Sequence, residues 1–283
     1  MSIHEKALLV ELNISTWTAN KLDRTKTDQI LHESNAGTRA GTFVKNLMTG
    51  TSLVKDTSDY AALCRTWNTK QTLPWQDRGP RFAPTSMFID YKKDVNDREQ
   101  TFWNMVDGVV DGYEEAKEVA RGALGSLWNP NDYPDASEIR AKYAWSFVVT
   151  PVPQSGHFMV DVPAKELAEM QASCDAGVDA RLKEAMQSAW DRLHSMCLDM
   201  SNKLTEGDED KKKRWHNSFV DNPVELCDLL SHLNITNDPK LEQLRRQLEV
   251  TMAGANIEVL KDSLETRQAL KRDVDSILKQ CEW

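Results

Sequence analysis

Long apolar runs are missing from this chain: nowhere do its 283 residues approach the roughly 18 uninterrupted hydrophobic positions of a membrane-spanning helix. The opening Met1-Ser2-Ile3-His4-Glu5-Lys6 also lacks the apolar stretch that directs secretion, so the expectation is a protein that stays in the cytosol. Backbone punctuation is sparse, with 12 Gly and 10 Pro, which argues against long flexible or low-complexity regions. Positive charge is in deficit. The balance of 35 Lys and Arg against 44 Asp and Glu leaves a net charge of −9, so binding of a polyanion requires a local basic patch. The cysteines are five, odd in number and without any Cys-x-x-Cys pair, a usage that fits reduced thiols serving as small apolar residues. No Gly-x-Ser-x-Gly elbow, His-Glu-x-x-His pair or phosphate-binding glycine loop occurs, so the expectation is a non-enzymatic protein without a cofactor.

The residues that are present set out a mainly α fold with a small antiparallel β-sheet, built as an elongated helical bundle or long helical hairpin. Residues 7–17 are rich in aliphatic side chains and partly alternate, as a strand does. Short helical pieces follow to about Lys70, and Tyr60, Leu63, Cys64 and Trp67 share one helical face as a core stripe. The segment from Leu73 to Pro84 carries three prolines and a glycine, which points to a loop rather than a central strand. From Asp94 to Leu124 the apolar spacing predicts one long helix closed by Gly125. A short helix near Ser137–Tyr143 precedes two segments, 145–152 and 156–162, that read as a hairpin, with the N-terminal strand as third partner.

The longest periodic segment runs from Pro163 to Leu204. Leu167, Met170, Cys174, Val178, Leu182, Ala185, Ala189, Leu193, Met196, Met200 and Leu204 alternate in steps of three and four, the spacing of a seam against other helices. Gly177 is the weak point in it. A helix from Asp208 to Leu233, broken or bent at Pro223, is followed by a start signal at Asp238-Pro239 and another at Ser263. The division suggested is a mixed region over residues 1–162 and a helical hairpin or bundle over 163–283, or one continuous domain.

Two groups are candidate sites. Trp75, Arg78, Arg81 and Phe82 in the proline-rich segment combine aromatics with guanidiniums, a mixture suited to a peptide, phosphate or nucleic-acid surface, although the aromatics also suit anchors over a helical core. Lys211, Lys212, Lys213, Arg214 and Trp215 form a basic patch with an adjacent aromatic, as in grooves for single-stranded nucleic acid, yet Glu209–Lys213 and Asp210–Arg214 are i,i+4 pairs of a solvated helix start. His194 and Cys197, with His216, Cys227 or His232, make only a weak zinc pattern, and the reading is packing and surface roles with no metal.

Several motifs carry a resemblance. Leu73-Pro74-Trp75-Gln76-Asp77-Arg78-Gly79, Asp132-Tyr133-Pro134-Asp135, Phe158-Met159-Val160-Asp161-Val162, Arg192-Leu193-His194, Phe219-Val220-Asp221-Asn222-Pro223-Val224-Glu225-Leu226 and Leu233-Asn234-Ile235-Thr236-Asn237-Asp238-Pro239 resemble an uncharacterised family of tailed-bacteriophage and prophage proteins. The resemblance implies a protein made in the host bacterial cytoplasm, encoded near a MoxR-type AAA+ ATPase and a von Willebrand-type partner, and it supplies no catalytic residues. The expected function is that of a non-enzymatic accessory protein acting through helix-mediated self-association and protein binding, as an adaptor for such an ATPase. The alternative is a single-stranded nucleic-acid-binding protein of phage replication or recombination.

Overall fold

A computed structural model describes residues 3–157, 162–205 and 215–281. In chain order the first half contains α1 (Ile3–Lys6), β1 (Ala7–Ser15), β2 (Asn20–Leu22), α2 (Arg24–Glu33), β3 (Val44–Asn46), α3 (Leu53–Gln71), β4 (Leu73–Pro74), β5 (Arg81–Pro84), α4 (Phe88–Asp111) and α5 (Tyr113–Leu124). The second half contains α6 (Ala136–Ile139), β6 (Ala144–Pro151), α7 (Ala164–Thr205), α8 (Ser218–Leu233), α9 (Pro239–Ala253), α10 (Ile257–Asp262) and α11 (Leu264–Gln280). The fold is mainly α with a small antiparallel sheet, as the hydrophobic periods predict. Two compact units emerge: Met1–Glu11 with Thr69–Tyr91 and Val148–Trp283, and Leu12–Asn68 with Lys92–Phe147. Where the sequence suggested a boundary near residue 162, the first of these units gathers segments from both sides of it.

The sheet has the strand order β4-β5-β1-β6. Strand β1 occupies the expected place, and β6 is the neighbour proposed for it. The proline-rich segment, in contrast, is not a loop throughout: β5 pairs antiparallel with β1, Leu9 opposite Phe82, and β4 pairs with β5, Leu73 opposite Phe82. Pro74, Pro80 and Pro84 stand at the ends of this ladder or just outside it, where a missing N–H costs little. Gly79 supplies the reversal between β4 and β5 with φ +105°, and a Cβ there would sit 2.8 Å from the Gln76 amide nitrogen. The second strand of the expected hairpin, 156–162, falls mostly outside the described residues, which omit 158–161; its first two positions belong to the 3-10 turn Ser155–His157.

In the first unit α7 packs against α11 and α8, and α9 packs against α8 and α11. Leu193 of α7, Leu230 and Leu233 of α8 and Leu241, Leu244 and Leu248 of α9 are fully buried there, each such side chain contributing about 2 kcal/mol. Helix α7 spans 42 residues, on the order of 60 Å, and continues through Gly177. Pro223 is buried inside α8, which runs through it without a break. The start of α8 differs from the expectation, at Ser218 rather than Asp208, and residues 206–214 lie outside the described residues. Both expected caps form. Asp238 Oδ1 accepts from the backbone N–H groups of Lys240 and Leu241 at 2.9 and 3.3 Å, its Oδ2 accepts from Trp190 Nε1 at 3.0 Å, and Ser263 Oγ accepts from Thr266 N at 3.1 Å.

In the second unit the core gathers around Phe102, Val106, Tyr113 and Ile139. The helix expected from Asp94 to Leu124 is two helices that meet at Gly112, where a Cβ would lie 2.8 Å from Leu53 Cδ1. Gly125 closes α5 as expected, with φ +53°. The buried stripe of α3 in this unit is Val54, Thr57, Ala61, Cys64 and Asn68; Leu63, expected inside, is 55 % exposed. The β2–β3 pair, too short to show a period, is fixed by Lys45. Its buried ammonium lies 2.6 Å from Asp132 Oδ2 and 3.3 Å from Asp23 Oδ2 and donates to the Leu127 carbonyl at 2.9 Å. Desolvation is the largest influence on this amine, but the two carboxylates overcome it and hold its pKa above the ordinary lysine value.

Two substitutions test these locks. Lys45→Met leaves two aspartates facing a buried apolar group, and the expected loss is about 3 kcal/mol in a urea titration; a loss below about 1 kcal/mol would show that the β2–β3 hairpin is held by something else. Asp238→Ala removes a cap and an indole bond together, for an expected destabilisation of about 2 kcal/mol. An unchanged urea midpoint for that variant is incompatible with the capping described.

Candidate functional site

The two sequence candidates fare differently. Trp75 and Phe82 are buried in the first unit at 6 % and 0 % exposure and meet edge to face at 5.1 Å, so their rings are committed to the core. The Arg181 guanidinium lies 4.6 Å over the Trp75 ring. Arg78 is exposed in the turn between β4 and β5, while Arg81 is half-buried and donates through Nε to Thr72 Oγ1 at 2.6 Å. The structure therefore does not bring these four residues to one surface. Of the basic patch, Lys211, Lys212, Lys213 and Arg214 lie outside the described residues. Trp215 packs edge to face on Phe219 at 5.0 Å, with Lys203 Nζ 5.8 Å from its ring.

A surface that the sequence assigned to a buried seam is the better candidate. From Ala164 to Gly177 helix α7 buries no residue, and burial begins at Val178. Leu167, Met170 and Cys174 thus continue the apolar stripe of the helix without being enclosed by it, Met170 at 40 % exposure. With Pro153 this part of α7 lines a groove of roughly 900 Å³, bordered by Glu166, Glu169, Met170, Cys174, Gly177 and Arg181 and completed by Ser173 and Val178. Those eight helical positions map onto themselves when reversed about the midpoint of Ser173 and Cys174. Glu166 falls on Arg181, Glu169 on Val178 and Met170 on Gly177. Against its own antiparallel copy this face sets acid to base at both ends and a long side chain to a glycine between them, while Glu169 falls on Val178 and keeps Lys165 of its own helix as its neighbour.

Other chemistry is sparse. Among the described residues no three His, Cys, Asp or Glu side chains converge as a metal site requires. His232 Nδ1 lies 2.9 Å from Ser86 Oγ, and Cys197 and Cys227 are buried, so neither thiol is presented to solvent. Burial pushes the Cys197 thiol up to about 12 and the Cys227 thiol up to about 11. A second groove, of roughly 790 Å³, runs along α9 and α11 beside Glu242, Arg246, Val250 and Ile277. Two of its charged groups are already paired: Arg245 and Arg246 hydrogen-bond to Glu242, a groove residue with Arg246, and hold that carboxyl at about 2. No described helix is long and apolar enough to cross a membrane.

Comparison with known proteins adds no relative: no family model matches the chain, and neither a curated protein nor a solved structure matches it significantly.

Sequence reasoning placed Leu167, Met170 and Cys174 on the right helix face and in the wrong environment. The signal available was the composition of neighbouring positions: Glu166, Glu169 and Ser173 border that stripe, whereas Ala185, Ala189 and Leu193 are flanked by Met186 and Trp190. Cys174 is the cysteine that is not buried. Under native conditions it is expected to take up a maleimide well before Cys64, Cys197, Cys227 and Cys281, and a Cys174→Ser variant to lose the fast phase. Peptide mapping that finds rapid labelling at Cys197 or Cys227 would contradict the packing.

Proposed function

We propose that this chain is a non-enzymatic accessory protein that acts by self-association and protein binding through the uncovered first third of α7. The observation that carries the reading is the reversed self-match of the face from Glu166 to Arg181, which joins an apolar centre to charged ends of opposite sign. Two copies related by a two-fold axis at Ser173 and Cys174 place Glu166 of each beside Arg181 of the other and seat Met170 against Gly177. Burial of such a face converts exposed apolar area into association energy, while the end charges fix the antiparallel register.

On this reading, which takes its setting from the sequence resemblance to tailed-phage proteins, the chain works in the host bacterial cytoplasm as an adaptor for a MoxR-type AAA+ ATPase. A homodimer suits that role, since it presents two equal surfaces to a multisubunit machine. Single-stranded nucleic acid as the target would instead depend on Lys211 to Arg214, and the packing of Trp215 on Phe219 leaves its ring partly covered on the protein side.

A charge exchange tests the arrangement. Glu166→Arg alone and Arg181→Glu alone each set like charges opposite one another, and each is expected to weaken the dimer about tenfold, or 1.4 kcal/mol, by sedimentation equilibrium. The double variant restores the pairs and the affinity. Oxidation is expected to trap a covalent dimer through Cys174. A chain that stays monomeric to about 100 μM, where a Kd near that value corresponds to under 6 kcal/mol, sinks the proposal. So does salt-sensitive binding of single-stranded DNA that disappears when Lys211 to Arg214 are neutralised while the oligomeric state stays the same.

A further inference from the structure

Arg181 stands at the end of the α7 groove nearest the enclosed part of the helix, and among the described residues no carboxylate or carbonyl accepts a hydrogen bond from it. Helical spacing accounts for this. The positions four before and four after it, Gly177 and Ala185, bear no charge, and those three away are Val178 and Glu184, the latter exposed and not paired with it. Glu169 and Glu166 share the groove but lie about 18 and 22 Å up the helix, beyond the reach of two side chains.

What holds the guanidinium is an aromatic face. Its carbon lies 4.6 Å over the Trp75 ring, and that ring is itself fixed, 6 % exposed and edge to face with Phe82 at 5.1 Å. Trp75 directly follows β4, the strand that packs against α7, so the indole and the helix keep one relation to each other. The attraction is to the ring quadrupole and takes up no hydrogen-bond acceptor, which leaves the N–H donors of Arg181 without a partner while the ion stays in place. An exposed arginine ordinarily loses side-chain freedom when it meets a carboxylate, and most exposed pairs contribute little for that reason. Half-buried against Trp75, Arg181 has already lost much of that freedom in folding.

We infer that Trp75 is a positioning residue for self-association: it holds Arg181 as a ready receptor for one carboxylate, that of Glu166 in a second copy of this chain. The inference rests on the association reading above and names what gives its end contacts their strength. Charge selects the occupant, since Glu166 is exposed, pairs with no cation among the described residues and falls on Arg181 when the face is reversed. Lysine in place of Arg181 would carry the charge without the flat ion that stacks on an indole and offers a fork to a carboxylate. A ring about a hundred residues earlier in the sequence thus sets the affinity of a contact between two helices, and a two-fold dimer contains this arrangement twice.

The test uses the full chain. Trp75→Leu keeps an apolar side chain in the core but offers no ring face, and is expected to weaken the dimer about tenfold by sedimentation equilibrium, about threefold at each symmetric site; Trp75→Phe restores most of the affinity. The loss should belong to the charge pair: Glu166→Gln weakens the dimer about tenfold in the unmodified background and less than about threefold in the Trp75→Leu background. Arg181→Lys should associate as weakly as Trp75→Leu. In the unmodified chain, diluted to monomer, the indole ring current is expected to move the Arg181 side-chain protons upfield of the range of a free arginine, and Glu166→Gln to leave them there. Unshifted Arg181 protons overturn the inference and leave the association reading standing. So does an equal Glu166→Gln penalty in both backgrounds or, should Trp75→Leu not fold, full affinity in Arg181→Lys. A chain that is monomeric at about 100 μM removes the association reading and this inference together.

Discussion

The first unit depends on one constraint, the enclosure of α7 from Val178 to Leu204 by helices α8 and α11 and strand β4. Within that stretch the helix presents Ala185, Ala189, Leu193, Cys197 and Met200 inward at steps of three and four, small residues near its middle letting neighbours approach and larger ones filling the ends. Trp190, on the adjoining stripe, reaches the cap of α9 and so ties the position of the next helix to the register of this one. Arg192 ties the same helix to the end of α3. Hydrophobic burial provides the energy, and a few polar contacts select among the ways of burying the same side chains.

Polar selection operates in the second unit as well, in a different form. There the strands are too short to specify their own pairing, and a buried lysine with two aspartates and a carbonyl fixes them instead. The aromatic core around Phe102 adds edge-to-face contacts with Trp103 at 5.4 Å and Tyr143 at 6.3 Å. Burial without a charged neighbour raises the Tyr143 phenol to about 12, which keeps it neutral at any physiological pH.

What the sequence discloses and conceals follows from the range of the interaction. The limits of α7, expected at Pro163 and Leu204 and found at Ala164 and Thr205, are local and periodic, and the caps at Asp238 and Ser263 are local and chemical. The need for glycine at the junction at 112 comes from the close approach of Leu53, about sixty residues earlier, and leaves no periodic trace. Prolines misled at β5 because they mark positions where an N–H is dispensable, and the ends of a short central strand are such positions. Arg192 meets its acceptors 120 residues away, and Lys45 meets Leu127 82 residues away, distances over which a single sequence shows no pairing. The α7 face was legible as apolar; that it is uncovered depends on where the neighbouring helices end.

Helix α7 is one continuous run of hydrogen bonds, enclosed along its C-terminal part and only partly covered along the rest, where Leu167, Gln171, Cys174 and Gly177 are half-buried. Starting a helix is the expensive step, and the enclosed part has already taken it, so each further turn toward Ala164 adds to an existing template. The less covered turns remain ordered more by propagation than by packing, and they open more easily the farther they lie from Val178. The result is a gradient of local stability along a single rod: firm where it belongs to the bundle, pliant toward its free end, and able to stiffen there when something closes over it.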